Sequence, residues 1–359
     1  MSLKQGSSRQ VSNIRTSRLA RILLVALLAG GVASAQAAPA RHPATQSRKT
    51  AYSRSRAASR RARLARARAE ARAREMAEAV VPRYRVDANG NLVPDVRAAA
   101  AIIYDPVSGQ VLFQENANDQ RSIASITKVM TAVVFLESHP DLSEQVTVAP
   151  KDVYRASTTY LRAREVVSVD DLLHLLLIPS DNAAARALAR ISPEGSDGFV
   201  ARMNQKAAEL GLENTHYADP SGLDARNVSS AYDMARLITY ASQVNQIASI
   251  MRLPEYTIHT NRRTITIHST DHLLRSSDVD VRAAKTGFIS KAGFCLATLL
   301  RLPQTGRDVA VVVLGARSNA GRFTETRNLF DWFRRRASEV LGTGAQNQQQ
   351  AEPQPQPQP

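Results

Sequence analysis

Ser125 and Lys128 are the first pair of residues in this chain whose types and spacing suit chemistry. They begin a long apolar stretch as Ser-Ile-Thr-Lys, and residues three apart share one face of a helix. Burial disfavours the charged form of a lysine and lowers its pKa, so a neutral Lys128 can take a proton from the Ser125 hydroxyl. A serine at a helix start is also a common cap, so the pair alone leaves both roles open.

A second cluster, Ser180-Asp181-Asn182, follows an apolar helical segment that ends at Pro179. On its own this cluster is typical of a capping turn before the next helix. In an active site, the Ser180 hydroxyl can relay a proton to a leaving amine. The Asn182 amide can anchor Lys128 and donate a hydrogen bond to a substrate carbonyl.

The third cluster, Lys285-Thr286-Gly287, is predicted on a strand edge. Lysine and threonine there supply a cation and a hydroxyl donor for an anionic substrate group. Gly287 lacks a Cβ, which lets a substrate backbone approach the strand. A tripeptide of this kind is common, so only its combination with the two clusters upstream indicates a site.

The positive charge of the chain is concentrated at its N-terminus. The sequence has 359 residues with 47 Lys+Arg and 32 Asp+Glu, a formal net charge of +15. Residues 1–78 hold 17 of the basic residues and only 3 of the acidic ones. The rest of the chain is close to neutral, so its charge does not predict a nucleic-acid partner.

The N-terminus has the pattern of an export signal, because basic residues precede the apolar run Ile22–Ala29 and small-x-small cleavage patterns follow. The run is shorter than the about 20 residues that span a bilayer, although an uncleaved anchor is the alternative. We predict a cleaved signal peptide at 1–37, a periplasmic protein, and an Arg/Ala-rich linker, disordered or helical, at 38–96. Residues 41–78 are either a solvated segment or a tether to anionic lipid or wall polymer.

The elements that must position the three clusters change in type along the chain. Strand patterns are predicted at 98–104, 110–114, 255–268, 294–302 and 308–315, and helical patterns at 126–138, 169–192, 196–210, 230–250 and 322–341. Strands at both ends of the folded region imply an α+β architecture in which terminal segments share one sheet. We predict a domain at 97–342 and a disordered Gln/Pro-rich tail at 343–359.

Four polar residues ahead of the third cluster could suggest a metal site, namely His259, His268, Asp271 and His272. They lie in a predicted strand and turn, with no His-Glu-x-x-His motif and no cysteine pair to support them. Cys295 is the only cysteine, which excludes an intrachain disulfide. We predict no metal and no cofactor.

Taken in chain order, Ser-x-x-Lys, Ser-Asp-Asn and Lys-Thr-Gly match the motif set of class A β-lactamases and penicillin-binding proteins. From about Ala98 to Phe333 the chain resembles the low-molecular-mass serine D-Ala-D-Ala peptidases, peptidase family S11. Further segments typical of that family are Tyr104–Gly109, Ser122–Ala132, Asp219–Leu223 and Val312–Ala316. The resemblance implies a β-lactamase/transpeptidase-like fold, in which helices flank an antiparallel sheet and form an all-helical lobe.

The resemblance also implies a role for each site residue. Ser125 forms the acyl-enzyme, Lys128 is the general base, and Ser180 completes proton transfer. The residues that place the substrate are Asn182, Lys285, Thr286, Gly287 and Phe288. The backbone N–H groups of Ser125 and Phe288 form an oxyanion hole. Arg322 falls where some carboxypeptidases of the family keep a carboxylate-binding arginine, and is otherwise a surface residue of the last helix.

The expected partners are peptidoglycan stem peptides and, as covalent inhibitors, β-lactams. Typical D-Ala-D-Ala carboxypeptidases of the family carry a β-rich second domain and a C-terminal amphipathic anchor, whereas only 26 residues follow Phe333 here. We therefore predict the D-alanyl-D-alanine endopeptidase branch, which cuts D-Ala–diaminopimelate cross-links, with carboxypeptidase activity as the alternative.

Two other functions are weaker alternatives. A class A β-lactamase needs a Glu-x-x-Leu-Asn segment to activate the deacylating water, and the nearest segment, Glu209–Asn214, does not match it. A wall-binding protein with a silent active site would not need an intact Ser125 and Lys128. The sequence therefore supports both alternatives less well than it supports the peptidase.

Overall fold

The structure is a computed structural model that describes residues 60–71, 73 and 81–349, with side chains described up to residue 337. The chain divides into two compact units, Met1–Leu64 and Ala65–Pro359. In the first unit only residues 60–64 are described, and they are helical and exposed. The predicted signal peptide at 1–37 lies outside the described residues. The three clusters all lie in the second unit.

The strands in chain order are β1 (Tyr84–Val86), β2 (Leu92–Pro94), β3 (Ala100–Tyr104), β4 (Val111–Glu115), β5 (Arg121–Ser122), β6 (Gln145–Thr147), β7 (Val166–Ser168), β8 (Val228–Ser229), β9 (Glu255–His259), β10 (Thr264–His268), β11 (Asp280–Ile289), β12 (Gly293–Arg301) and β13 (Asp308–Ala316). The α-helices are α1 (Thr127–Glu137), α2 (Pro150–Val153), α3 (Val169–Leu177), α4 (Asn182–Ile191), α5 (Gly195–Glu209), α6 (Ala231–Gln243), α7 (Asn245–Met251) and α8 (Asn319–Gln349). Two 3-10 turns lie at Ala124–Ile126 and His272–Arg275.

Five of these strands form the central antiparallel sheet, in the order β11-β12-β13-β3-β4. The last strand of the chain lies beside the first strand of this sheet, with Val312 opposite Ile102. The segments at the two ends of the folded region therefore share one sheet, and the predicted α+β architecture is confirmed. Strand β11 is an edge strand, so one side of it is open to a neighbouring segment or ligand.

The sheet separates two buried apolar clusters. Ala283 and Ala297 face the larger cluster, which includes the apolar residues of α1 and of α3 to α7. Ala284 and Leu296 face the smaller cluster, which includes residues of α8. Helix α1 is the centre of the helical lobe, because every residue from Thr127 to Leu136 is buried. Ser125 therefore lies just before a helix that packing fixes on all sides.

The helical segment predicted at 169–192 is two helices, α3 and α4, separated at Pro179. The strand pattern predicted at 255–268 is a hairpin in which Ile258 lies opposite Ile265. Helix α8 runs past the predicted end at residue 341 to Gln349, so its last residues lie in the range 343–359 that the sequence predicts to be disordered. In the part of the chain that the structure describes, no helix has the length and apolar character needed to cross a membrane.

Candidate active site

Ser125 lies in the 3-10 turn Ala124–Ile126, which leads directly into α1. No side chain caps either the turn or the helix, so the Ser125 hydroxyl is not used as a cap. Ala124 has a φ of +49°, a left-handed conformation that costs a residue other than glycine on the order of 1 kcal/mol. The turn is held by Thr127, whose Oγ1 donates to the Ala124 carbonyl at 2.8 Å.

Two glycines let neighbouring segments approach this turn closely. A Cβ on Gly222 would lie 2.1 Å from the Ala124 carbonyl oxygen. A Cβ on Gly287 would lie 2.6 Å from the Ile123 carbonyl oxygen and 3.2 Å from Ser125 N. We predicted that Gly287 makes room for a substrate backbone. The structure gives a nearer reason for glycine there, because the chain's own turn fills the space that a side chain would need.

Lys128 is fully buried, and its Nζ contacts three oxygen atoms. It donates to Ser125 Oγ at 3.0 Å, to Asn182 Oδ1 at 2.7 Å and to the Ser221 carbonyl at 2.5 Å. Burial lowers the pKa of Lys128 to about 7, although nearby carboxylates favour its charged form. Near neutral pH the amine is therefore present in both forms, and its neutral form can accept a proton from Ser125.

Asp181 and Asn182 fix the loop that forms one wall of the site. Asp181 is fully buried and caps α4, and its second carboxylate oxygen accepts from Tyr160 N at 2.6 Å. Asn182 accepts from Lys128 and donates through Nδ2 to the Ala156 carbonyl at 2.7 Å. The two side chains thus couple the position of residues 156–160 to the position of the amine.

Ser180 has a strained backbone and an unused hydroxyl. Its φ is +67°, and a left-handed conformation of this kind costs about 1–3 kcal/mol in a residue other than glycine. Its Oγ is buried and finds no hydrogen-bond partner among the described residues. Ser180 lines the same cleft as Ser125. Its hydroxyl is therefore free to bond a group that enters the cleft.

Lys285 and Thr286 lie on the edge strand β11. Lys285 is 1% exposed, and its Nζ donates to the Thr286 carbonyl at 3.1 Å. Burial lowers the pKa of Lys285 well below its ordinary value, and repulsion from Lys128 and Arg322 lowers it further. The Thr286 hydroxyl lies 2.6 Å from that of Thr270. The third cluster therefore places the Thr286 hydroxyl in the same cleft as Ser125, with the Lys285 amine buried behind it.

Arg322, on α8, is buried rather than a surface residue, with 6% of its side chain exposed. Its Nη1 donates to the Gly287 carbonyl at 3.0 Å and to the Cys295 carbonyl at 3.2 Å. Burial lowers the pKa of Arg322 to about 10, so it is still a cation at neutral pH. Its Nε finds no partner in the described part of the chain. A cation with an unused donor thus stands next to Lys285.

An open cleft of about 210 Å³ brings these residues together. Its lining residues are Ser125, Ser157, Thr158, Pro179, Ser180, Asn182, Leu223, Thr270, Thr286, Gly287, Phe288 and Arg322. Seven of the nine predicted site residues line the cleft, and the other two, Lys128 and Lys285, lie buried behind it. No sequence motif indicates Ser157, Thr158 or Thr270, whereas Leu223 ends the segment Asp219–Leu223, which is typical of the family.

The four residues considered for a metal site do not form one. His259 and His268 are exposed and lie on β9 and β10, whereas Asp271 is buried at the start of the 3-10 turn His272–Arg275. Within the described ranges, no group of three or more His, Cys, Asp or Glu side chains could hold a metal ion.

Comparison with known sequences places this site among peptidases. Residues 87–318 match the S11 peptidase family, described as D-alanyl-D-alanine carboxypeptidase. A D-alanyl-D-alanine endopeptidase of Pseudomonas aeruginosa is 35% identical over 246 residues, which cover 67% of this chain and 78% of the relative. Another of Escherichia coli is 32% identical over 243 residues, with the same coverage. The E. coli D-alanyl-D-alanine carboxypeptidase DacC is 34% identical over 253 residues, covering 67% of this chain and 62% of the relative.

Solved structures agree with these sequences. The crystal structure of the Streptomyces K15 DD-transpeptidase aligns with a TM-score of 0.63 and 28% identity, covering 67% of this chain and 97% of that one. The predicted β-lactamase/transpeptidase-like fold is therefore confirmed. Family match, relatives and fold all cover the part of the chain that carries the three clusters. The chain belongs to peptidase family S11, the D-alanyl-D-alanine carboxypeptidase family, and is a serine D-Ala-D-Ala peptidase.

Proposed function

We propose that this enzyme hydrolyses D-Ala-containing peptide bonds of peptidoglycan through an acyl-enzyme on Ser125. The observation that carries the proposal is the 3.0 Å contact between Lys128 Nζ and Ser125 Oγ, made by a lysine that burial allows to be neutral near pH 7. A base within hydrogen-bond reach of a hydroxyl is the arrangement that nucleophilic catalysis requires.

In the first step, neutral Lys128 accepts the Ser125 proton while Oγ bonds to the carbonyl carbon of D-Ala. The negative charge that develops on the carbonyl oxygen lies between the backbone N–H groups of Ser125 and Phe288. The C–N bond then breaks, and the leaving amine takes a proton that passes from Lys128 through the Ser180 hydroxyl. In the second step, Lys128 takes a proton from a water molecule, whose oxygen bonds to the ester carbon. The bond from that carbon to Ser125 Oγ breaks, and the proton on Lys128 returns to Oγ.

The carboxylate next to the scissile bond binds at the other end of the cleft. We assign it to the Lys285 ammonium, the Thr286 hydroxyl and the Arg322 guanidinium. Two cations around one buried position favour an anion strongly, because charge-assisted hydrogen bonds are about twice as strong as neutral ones. The Asn182 amide places the acyl donor, although its Nδ2 also bonds the Ala156 carbonyl.

We assign the cross-link between D-Ala and diaminopimelate as the bond that is cut, with carboxypeptidase action on a terminal D-Ala as the second candidate. Support comes from relatives named D-alanyl-D-alanine endopeptidases at 32–35% identity. A carboxypeptidase relative at 34% identity keeps the second candidate open. The two activities share one acyl-enzyme and differ only in the amine that leaves.

Digestion of purified muropeptides tests this assignment. We expect the mature enzyme to convert cross-linked dimers into monomers at least about tenfold faster than it trims monomeric pentapeptides. Liquid chromatography with mass spectrometry resolves the two products, and the Ser125→Ala variant is the matched control. Trimming of pentapeptides with intact dimers would overturn the endopeptidase assignment and favour the carboxypeptidase.

A β-lactamase activity has less support. No Asp or Glu is among the described residues that line the cleft, and rapid deacylation of a penicilloyl-enzyme by the class A route needs a carboxylate there to activate water. We therefore infer that β-lactams acylate Ser125 and leave slowly, so that they act as covalent inhibitors.

We also propose the organisation of the chain around this domain. Residues 1–37 are a signal peptide that delivers the protein to the periplasm. The basic linker is shorter than the predicted range 38–96, because β1 and β2 form a hairpin at 84–94. The peptidase domain follows it up to residue 342, with a polar tail at 343–359. The basic residues of 41–78 bind anionic lipid or wall polymer at the envelope. Phosphates and carboxylates on those surfaces attract arginine, and salt screens the attraction.

A sedimentation assay with isolated envelopes tests the role of residues 41–78. We expect the mature protein to sediment with envelopes at low salt and to be released as the salt concentration rises, because the attraction is electrostatic. A variant that lacks residues 41–78 should stay in the supernatant and keep its peptidase activity. Equal sedimentation of the two proteins at every salt concentration would contradict the tether.

A further inference from the structure

Asp271 is a buried carboxylate beside the two cations of the cleft. Its neighbours in the chain fix where it lies. Thr270 contacts Thr286, the residue after Lys285, through hydroxyl groups 2.6 Å apart. On the other side, the ring of His272 stacks on Phe323, the residue after Arg322, at 4.7 Å. Asp271 therefore stands where β11 meets α8, next to Lys285 and Arg322.

Only half of this carboxylate has a partner within the protein. Oδ1 accepts from Leu273 N at 3.0 Å and so caps the 3-10 turn. Oδ2 is buried and has no hydrogen-bond partner among the described residues, although Asp271 is just 3% exposed. A half-satisfied buried carboxylate is costly. A cap alone does not explain that cost, because asparagine or serine caps a turn about as well without the charge.

The charges that face Asp271 are mostly positive. Lys285 on β11 and Arg322 and Arg327 on α8 favour its ionised form, while burial raises its pKa to about 6. Arg327 is already paired with Asp278 at 2.9 Å. Lys285 and Arg322 have no carboxylate partner among the described residues, so Asp271 is the acid that balances them.

The same turn carries two more titratable groups, His272 and Arg275. Burial and repulsion from Arg275 and Arg322 lower the pKa of His272 and so disfavour its charged form. When protonated, Lys128 on α1 also repels the positive charge of Lys285. Lys285 is thus surrounded by cations, with Asp271 as the nearby negative charge that opposes them.

We propose that Asp271 is a positioning residue for the carboxylate site: its buried negative charge offsets the repulsion between Lys285 and Arg322 and keeps Lys285 protonated for substrate binding. The inference rests on the proposed role of Lys285 as the receptor of the substrate carboxylate. A neutral Lys285 cannot form that ion pair, whereas an ionised Asp271 that is too close would repel the substrate. Placing Asp271 behind the cleft, outside its lining, meets both needs.

The inference predicts that plots of acylation rate against pH for wild type and for the Asp271 variants cross. Asp271→Asn and Asp271→Ser remove the charge and keep a capping side chain. A nearby opposite charge shifts a pKa by about one to three units, so Lys285 should lose its proton at lower pH in both variants. We expect benzylpenicillin, which carries one carboxylate, to acylate them about tenfold more slowly than wild type at pH 9. At pH 6 they should react as fast as wild type or faster, because a negative charge near the substrate carboxylate is gone.

Two controls separate this effect from damage to the fold. Asp171→Asn removes another buried carboxylate, one outside the cleft whose pKa burial also raises, and should leave the pH profile unchanged. The temperature of thermal unfolding shows whether a substitution destabilises the turn that Asp271 caps. Burial disfavours the ionised form of Asp271 and raises its pKa from 3.8 to about 6, so the penalty grows across that range and is complete above about pH 6. Asp271→Asn should therefore unfold at an equal or higher temperature than wild type at pH 7–8.

Direct titration of Lys285 makes the test independent of the reaction. In protein with isotope-labelled lysine, its ¹³Cε signal, assigned by comparison with Lys285→Arg, reports its protonation. We expect the midpoint to fall by at least one pH unit in Asp271→Asn. An unchanged midpoint in both variants would overturn the inference even if wild type is acylated normally. A wild type that is not acylated would contradict the proposed function, while the titration would still decide the role of Asp271.

Discussion

Replacing Ser125 by alanine is expected to abolish both covalent labelling by a fluorescent penicillin and hydrolysis of muropeptides. In the proposed mechanism, the Ser125 hydroxyl oxygen bonds to the substrate carbonyl carbon. Alanine has no group that can form this bond. We expect the rate of acylation to fall by about 10⁴-fold or more. Labelling is read on a denaturing gel, where only a covalent adduct survives, and intact-protein mass spectrometry confirms the added mass.

The fold should tolerate this change. Ser125→Ala removes one hydrogen bond with Lys128, a contact that contributes about 0.5–1.5 kcal/mol to stability, and the lysine keeps its bonds to Asn182 and Ser221. Ser143→Ala, which changes an exposed serine outside the cleft lining, is the matched control and should label like wild type. Stable labelling of Ser125→Ala at the wild-type rate would show that the nucleophile lies elsewhere.

The sequence was sufficient to predict the α+β architecture, the shared terminal sheet and the three clusters. Periodic apolar patterns report which face of an element is buried, and Ser125, Ser180 and Lys285 stand at recognisable points of those patterns. The long helix α1 was predicted to within a residue at each end because His139 and Pro140 stop it and its apolar residues are continuous.

The close packing around Ser125 could not be predicted from the sequence. Gly222 and Gly287 both pack against one 3-10 turn, through contacts with Ala124 and Ile123 that lie 98 and 164 residues away along the chain. The burial of Arg322 also depends on contacts between distant elements. Arg322 lies on α8 and is buried because β11 and β12 pack against it, which the sequence of α8 alone does not show. Periodicity describes one element at a time and does not show which elements meet.

Asp271 shows a second limit. In the sequence it is one of four polar residues that could suggest a metal site, and no metal-binding motif supports that interpretation. Its position beside Lys285 and Arg322 follows from the contacts of Thr270 and His272 with two different elements. A buried charge is recognised by what surrounds it, so it becomes informative only when the partners are known.

Replacing Lys128 by arginine is expected to lower the acylation rate by about 10³-fold, within the range that loss of a general base produces. Arginine keeps a positive charge and hydrogen-bond donors for Asn182 and Ser221, but its guanidinium stays protonated at any working pH and cannot accept the Ser125 proton. Lys128→Met, which has similar length and no charge, should be as slow. It leaves buried acceptors unpaired at a cost of about 1–3 kcal/mol each, so its folding is checked by thermal unfolding.

The pH dependence of acylation in the wild-type enzyme tests the role of Lys128 as the base without a mutation. Burial lowers the pKa of Lys128 to about 7, and only its neutral form is a base. Acylation should therefore fall tenfold per pH unit well below pH 7 and level off above it. Loss of its proton also removes a charge that repels Lys285, so activation of the base favours the protonated form of Lys285. A rate independent of pH between 5 and 8, or an active Lys128→Arg, would exclude Lys128 as the base.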